Sequence, residues 1–258
     1  MMKTTKIMGA VIALGVGFAA TTANAMPIPA WNFSIDSDWA NALDEAGRSE
    51  GDAGSTLLSS SGGGLNSLAW GTDIGNGQSS LDVTDNVSGT LITNGGTEAG
   101  ATVTHNNVVV GIANGVSLDT VDLVVNIALA PVPGVPAPID IVTFNIDFFE
   151  SPNNGNCDPD STSNCDDEFL LLNPEDLEAQ SFVIDGFLYT LSLELDTSLL
   201  SFSEVLPDGT IRFLTEENQS NTILTNLRIT AREIPEPASL ALLGLGLIGL
   251  GAARRRKA

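Results

Sequence analysis

Between residues 26 and 237 the chain contains no lysine. Four arginines, Arg48, Arg212, Arg228 and Arg232, face 32 acidic side chains there, a net charge of −28. A surface this acidic repels nucleic acid and anionic lipid, and it attracts divalent cations. No nucleic-acid partner is expected. Histidine occurs once, at His105, which excludes a multi-histidine metal centre. The two cysteines, Cys157 and Cys165, are not spaced C-x-x-C, which argues against dithiol redox chemistry. No G-x-S-x-G nucleophile motif is present. No helical apolar period appears before the C-terminal tail, and the long apolar runs sit at the two chain ends.

Those ends read as membrane-directed signals. Lys3 and Lys6 precede an apolar stretch from Ile7 to Ala20, and Ala23-Asn24-Ala25 supplies an A-x-A cleavage site. Residues 1–25 form a signal peptide cut after Ala25, with Ala23 and Ala25 as the small residues the peptidase requires. At the other end, Pro235-Glu236-Pro237 is followed by apolar residues 238–253 and the basic cluster Arg254-Arg255-Arg256-Lys257. As a helix, 16 residues reach roughly 24 Å, a short span across a core of roughly 30 Å. The cations favour a cytoplasmic end, which puts the rest of the chain across the membrane.

This three-part tail resembles the sorting signal of PEP-CTERM proteins. The resemblance implies an exosortase partner, a multi-spanning membrane protease-transpeptidase that recognises the tail and removes it. It further implies a Gram-negative-type envelope, transient inner-membrane anchoring, and delivery to the cell surface or extracellular matrix. The sorting residues would be Pro235, Glu236, Pro237, Arg254, Arg255 and Arg256.

The segment from 26 to 234 is long enough for one domain with a sizeable core. Its pattern is β. Trp31 to Ile35 alternates apolar and polar residues, as do Ile139 to Phe149 and Phe182 to Leu195. Val121 to Leu129, Ile211 to Phe213 and Ile223 to Ile229 add β-rich runs, and Val108 to Val110 is a short buried-type run. Asp185-Gly186, Asp208-Gly209 and Asn114-Gly115 suit hairpin turns. Residues 38–48 and 174–178 suit short turns, and Ser59 to Gly64 reads as a loop. The proline-rich stretch 131–138 disfavours strand pairing and suits a long crossover within one sandwich. The fold class is all-β: an antiparallel β-sandwich or jelly-roll-like ectodomain with a single C-terminal transmembrane helix. Trp39 and Trp70 read as core anchors.

Two places invite functional readings. Thr104-His105-Asn106-Asn107 resembles the T-H-x-N signature of THxN-family PEP-CTERM proteins, through Thr104, His105 and Asn107. An early tryptophan and a cysteine pair in the second half agree with that group, which has no settled activity to carry over. The bland reading is that His105 and Asn107 bond backbone and fix a turn. The second place is the Cys157–Cys165 pair, a disulfide in an exported chain. Around it, Asp158, Asp160, Asn164 and Asp166 alternate like calcium ligands. Against that, Ser163 holds the position a calcium loop gives to glycine, and Phe169 its last ligand position. A solvated acidic loop and a calcium loop both fit. Calcium is the one cofactor expected, if any. The expectation for function is a non-enzymatic structural or adhesive surface protein. The competing class is a secreted sandwich that binds or cleaves carbohydrate, with an extracellular polysaccharide as partner.

Overall fold

Apolar–polar alternation becomes extended backbone through most of the described chain. The computed structural model describes residues 26–111, 117–134, 137–152, 157–163, 165–177, 180–235 and 246–247. Among the described residues fourteen strands follow in chain order. They are β1 (Ala30–Asp44), β2 (Leu58–Gly62), β3 (Leu65–Trp70), β4 (Ser79–Thr84), β5 (Val87–Ile92), β6 (Glu98–Asn107) and β7 (Leu118–Pro131). The rest are β8 (Ala137–Phe149), β9 (Asp167–Leu171), β10 (Gln180–Ile184), β11 (Phe187–Asp196), β12 (Phe202–Val205), β13 (Ile211–Thr215) and β14 (Gln219–Glu233). One seven-stranded sheet has the order β12-β13-β9-β8-β7-β1-β5, and a second has β10-β11-β14-β6-β4-β3-β2. The strand pairings in both are antiparallel.

The inner faces of the two sheets meet in one core. Trp31 of β1 packs edge-on to Tyr189 of β11 at 5.0 Å, and Trp70 of β3 does the same to Phe148 of β8 at 4.9 Å. Each ring thus joins one sheet to the other. Burying one such aromatic removes enough apolar area for roughly 4–6 kcal/mol. The Cys157–Cys165 disulfide forms, and it closes a loop so short that chain entropy assigns it roughly 2–3 kcal/mol. The core, not the crosslink, holds the fold.

Several sequence expectations change. Residues 38–44 continue β1 because Trp39 stays packed against the core and pairs across to β7. Ser59 to Gly64 is a hairpin, not a loop: β2 pairs with β3, and Gly63 and Gly64 turn the chain at positive φ. Val108 to Val110 follows β6 outside any strand. The proline-rich stretch does not cross between sheets; it joins the neighbouring strands β7 and β8. The turn at Asp185-Gly186 splits the run from Phe182 into the hairpin β10–β11. Residues 174–177 form a 3₁₀ turn. Among the described residues no helix is long and apolar enough to cross a membrane. Ala23, Ala25, Glu236, Pro237, Arg254, Arg255 and Arg256 lie outside the described residues, as does the span 238–253 apart from Gly246 and Leu247, which are helical.

One close approach sets a local size limit. Gly89 of β5 pairs with Phe33 of β1, and an added Cβ would lie 2.7 Å from the Phe33 ring. Phe33 is buried and cannot swing away. Gly89→Ala should therefore destabilise by about 1–3 kcal/mol, read as a lower urea midpoint with an unchanged slope.

Candidate functional site

The end of the sandwich where β3, β6, β8, β9 and β13 finish or begin carries polar residues on inward-facing positions. Along β6 the inward parity runs Ala101, Val103, His105, Asn107. Along β8 and beyond it runs Phe148 then Glu150, with Phe149 turned out. Along β9 it runs Asp167, Phe169, Leu171, and along β13 Phe213, Thr215, then Glu217. Strand alternation turns Asp167 inward, and Glu150 and Glu217, just past the ends of β8 and β13, are buried at the same place.

His105 is 2% exposed and stacks on Trp70 at 5.4 Å, with Phe148 and Phe169 edge-on. It lies within β6 rather than in a turn. Its Nδ1 meets the Thr215 hydroxyl at 3.0 Å, while that hydroxyl donates its only proton to the Asp167 carbonyl at 3.1 Å. His105 Nδ1–H must then be the donor, which leaves Nε2 unprotonated, and Nε2 has no partner. Burial pulls the imidazole pKa down to about 3. Asn107, 1% exposed, donates from Nδ2 to the Thr215 carbonyl at 3.1 Å. The motif thus bonds across to β13 of the other sheet. Thr104, on the opposite face of β6, lies 3.3 Å from the Thr222 hydroxyl of β14.

Beside this pair, one carboxylate oxygen from each of Glu150, Asp167 and Glu217 lies within 4.8 Å of the others. These residues are 3%, 0% and 5% exposed. Glu150 Oε2 accepts from Trp70 Nε1 at 3.1 Å, and Asp167 Oδ1 accepts from the Ser151 amide at 2.8 Å. Glu150 Oε1 and Asp167 Oδ2 have no donor. Burial pushes Glu150 up to about 7, against the Trp70 bond and with help from the Glu217 charge. Burial, then the charge on Glu150, raises Asp167 well above the carboxylate range, and the Asn107 amide against it eases the shift.

The acids of the disulfide loop gather on an arginine. Arg212 of β13, itself 7% exposed, binds Asp158 at 2.7 Å, Asp160 at 3.2 Å, Glu168 at 2.5 Å and Glu204 at 3.1 Å. Burial works against its charge, but bonds to Glu168, Asp158 and Glu204 outweigh it and hold its pKa above the ordinary value. Asp166 turns back on its own loop, accepting from the Thr162 and Ser163 amides at 2.8 and 3.0 Å and from the Ser163 hydroxyl. Asn164 lies outside the described residues. The Arg212 guanidinium thus pairs with both Asp158 and Asp160. The loop still serves the buried acids: Ser151 Oγ donates to the Asp166 carbonyl at 2.7 Å, and Ser163 Oγ accepts from the Glu217 amide at 2.9 Å.

Of the sequence candidates, Asn107 reaches the buried carboxylates, and Asp166 adjoins them through Asp167. Glu150 and Glu217 were missed. Their signal was available: each extends the inward parity of a strand beyond its last apolar residue.

With this geometry in hand, the comparisons with known proteins place the tail. Residues 233–257 match the PEP-CTERM protein-sorting motif. The chain thus carries the signal of an exported protein sorted by an exosortase, with transient anchoring in the membrane. No curated protein matches the chain.

Two measurements follow from these contacts. ¹⁵N NMR should show His105 as the neutral Nδ1–H tautomer from pH 8 down to 4. The depressed pKa means its contribution to stability is complete above pH 6.5 and declines as pH falls from there toward 3. An imidazolium signal at pH 5 would contradict the burial. Separately, Arg212→Gln leaves four acids facing one another. It should cost about 1–3 kcal/mol by urea denaturation, less than a fully buried pair because its partners reach water.

Proposed function

We propose that this is a structural or adhesive protein that an exosortase-type enzyme delivers to the cell surface or extracellular matrix. The sorting motif at 233–257 carries the reading. The acidic sandwich supports it: its charge suits life outside the cell and discourages self-association before delivery. An extracellular polysaccharide is the partner class we favour.

The carbohydrate-cleaving alternative needs two carboxylates across a space that admits a sugar, with separations of about 5–9.5 Å. The convergent acids here are buried and within 4.8 Å of one another, which supports a non-catalytic role. The cavity of about 80 Å³ between the sheets is walled mainly by apolar side chains such as Leu123, Phe144 and Phe213, a poor lining for a sugar.

Mass spectrometry of the protein from its native host tests the reading. A mature C-terminus near Pro237, in protein recovered from the surface or matrix fraction, is expected. An intact Arg254–Lys257 end in that fraction would overturn it.

A further inference from the structure

We infer that Glu150, Asp167 and Glu217, with the Asn107 amide oxygen, form a binding site for a hard divalent cation of the calcium type. The argument begins with a shortage of donors. Glu150 Oε1, Asp167 Oδ2 and Asn107 Oδ1 are buried acceptors that meet no donor at hydrogen-bonding geometry, although the Ser117 hydroxyl and the Asn107 amide adjoin Glu150 and Asp167. Neither Glu150 nor Asp167 has an ion-pair partner among the described residues. Proton sharing can neutralise part of the charge, but it cannot serve three unpartnered acceptors at once. A cation serves several together.

Asn107 is the observation that separates this site from an ordinary acidic cluster. It is 1% exposed, its amide lies against Asp167, and its Nδ2 is fixed by the Thr215 carbonyl. Its Oδ1 is left without a partner, on a side chain that adjoins Asp167, one of three carboxylates within 4.8 Å of one another. An all-oxygen donor set selects hard cations over zinc or copper. The low water access favours calcium over magnesium, which keeps much of its hydration and seldom sits in an all-protein cage.

The ion would tie β6 of one sheet to the ends of β8, β9 and β13 of the other. It would therefore act on stability, and the site stands apart from the sorting reading.

The test uses the full chain in detergent micelles at pH 7.5, stripped with chelator and then given calcium or terbium. At a hundredfold excess of free calcium over its dissociation constant, the thermal midpoint should rise by roughly 5–10 °C. Terbium should show emission on tryptophan excitation, because the Trp70 indole bonds Glu150 directly. Glu150→Gln and Asp167→Asn should each abolish the calcium shift, while Asp160→Asn in the disulfide loop keeps it. If either site variant fails to fold, the terbium emission of the wild type decides. Absence of both a midpoint shift and sensitised emission in the wild type overturns the proposal. So does a shift that survives both site variants. A chelator-insensitive midpoint that Glu150→Gln raises would identify a proton-sharing acid cluster instead.

Discussion

A carboxylate withdrawn from water costs several kcal/mol unless a donor or an opposite charge offsets it. One end of this sandwich collects three such groups in a space only a few ångströms wide. The surroundings follow from that cost. Trp70 turns its indole N–H to Glu150, Ser151 gives its amide to Asp167, and the Thr215 hydroxyl bridges His105 to the Asp167 carbonyl. The disulfide loop holds Asp166 and Asp167 in register by folding the Asp166 carboxylate onto its own amides. Remove the acids, and the positions of Asn107, Ser151 and Ser163 lose their common purpose.

The fold was legible because period-two alternation is a strong signal in long strands. Ile139 to Phe149 and Phe182 to Leu195 were read from it; the first is part of one strand, and the second is two strands parted by the Asp185-Gly186 turn. What failed were places where composition competed with pairing. Ser59 to Gly64 has the makeup of a loop, yet its backbone pairs with β3. The proline-rich stretch looked like a barrier and is a hairpin connection, because only the residues between Pro131 and Ala137 need leave the ladder. The candidate site was half legible. His105 and Asn107 stood out as a motif. Glu150, Asp167 and Glu217 were hidden among 32 acids, since their convergence depends on pairings far apart in sequence. Counting parity past the strand ends would have marked each of them.

The acids divide into two populations with opposite physics. Asp158, Asp160 and Glu204 gather on Arg212 at the surface, where solvent screens them and the guanidinium organises them. Glu150 and Asp167 sit where neither screening nor arginine reaches. In the cluster that resembles a metal loop in sequence, Asp158 and Asp160 pair with a guanidinium. The cluster without any sequence resemblance has the acceptors to spare.

Strand β14 links these regions to the tail. It begins at Gln219, just past Glu217, and ends at Glu233, where the Ile234 amide donates to the Gly186 carbonyl. Fifteen residues of strand measure roughly 45–50 Å. The four residues from Ile234 to Pro237 reach at most roughly 14 Å. While the tail is held in a bilayer, the Gly186 end of the sandwich is therefore kept on a short leash.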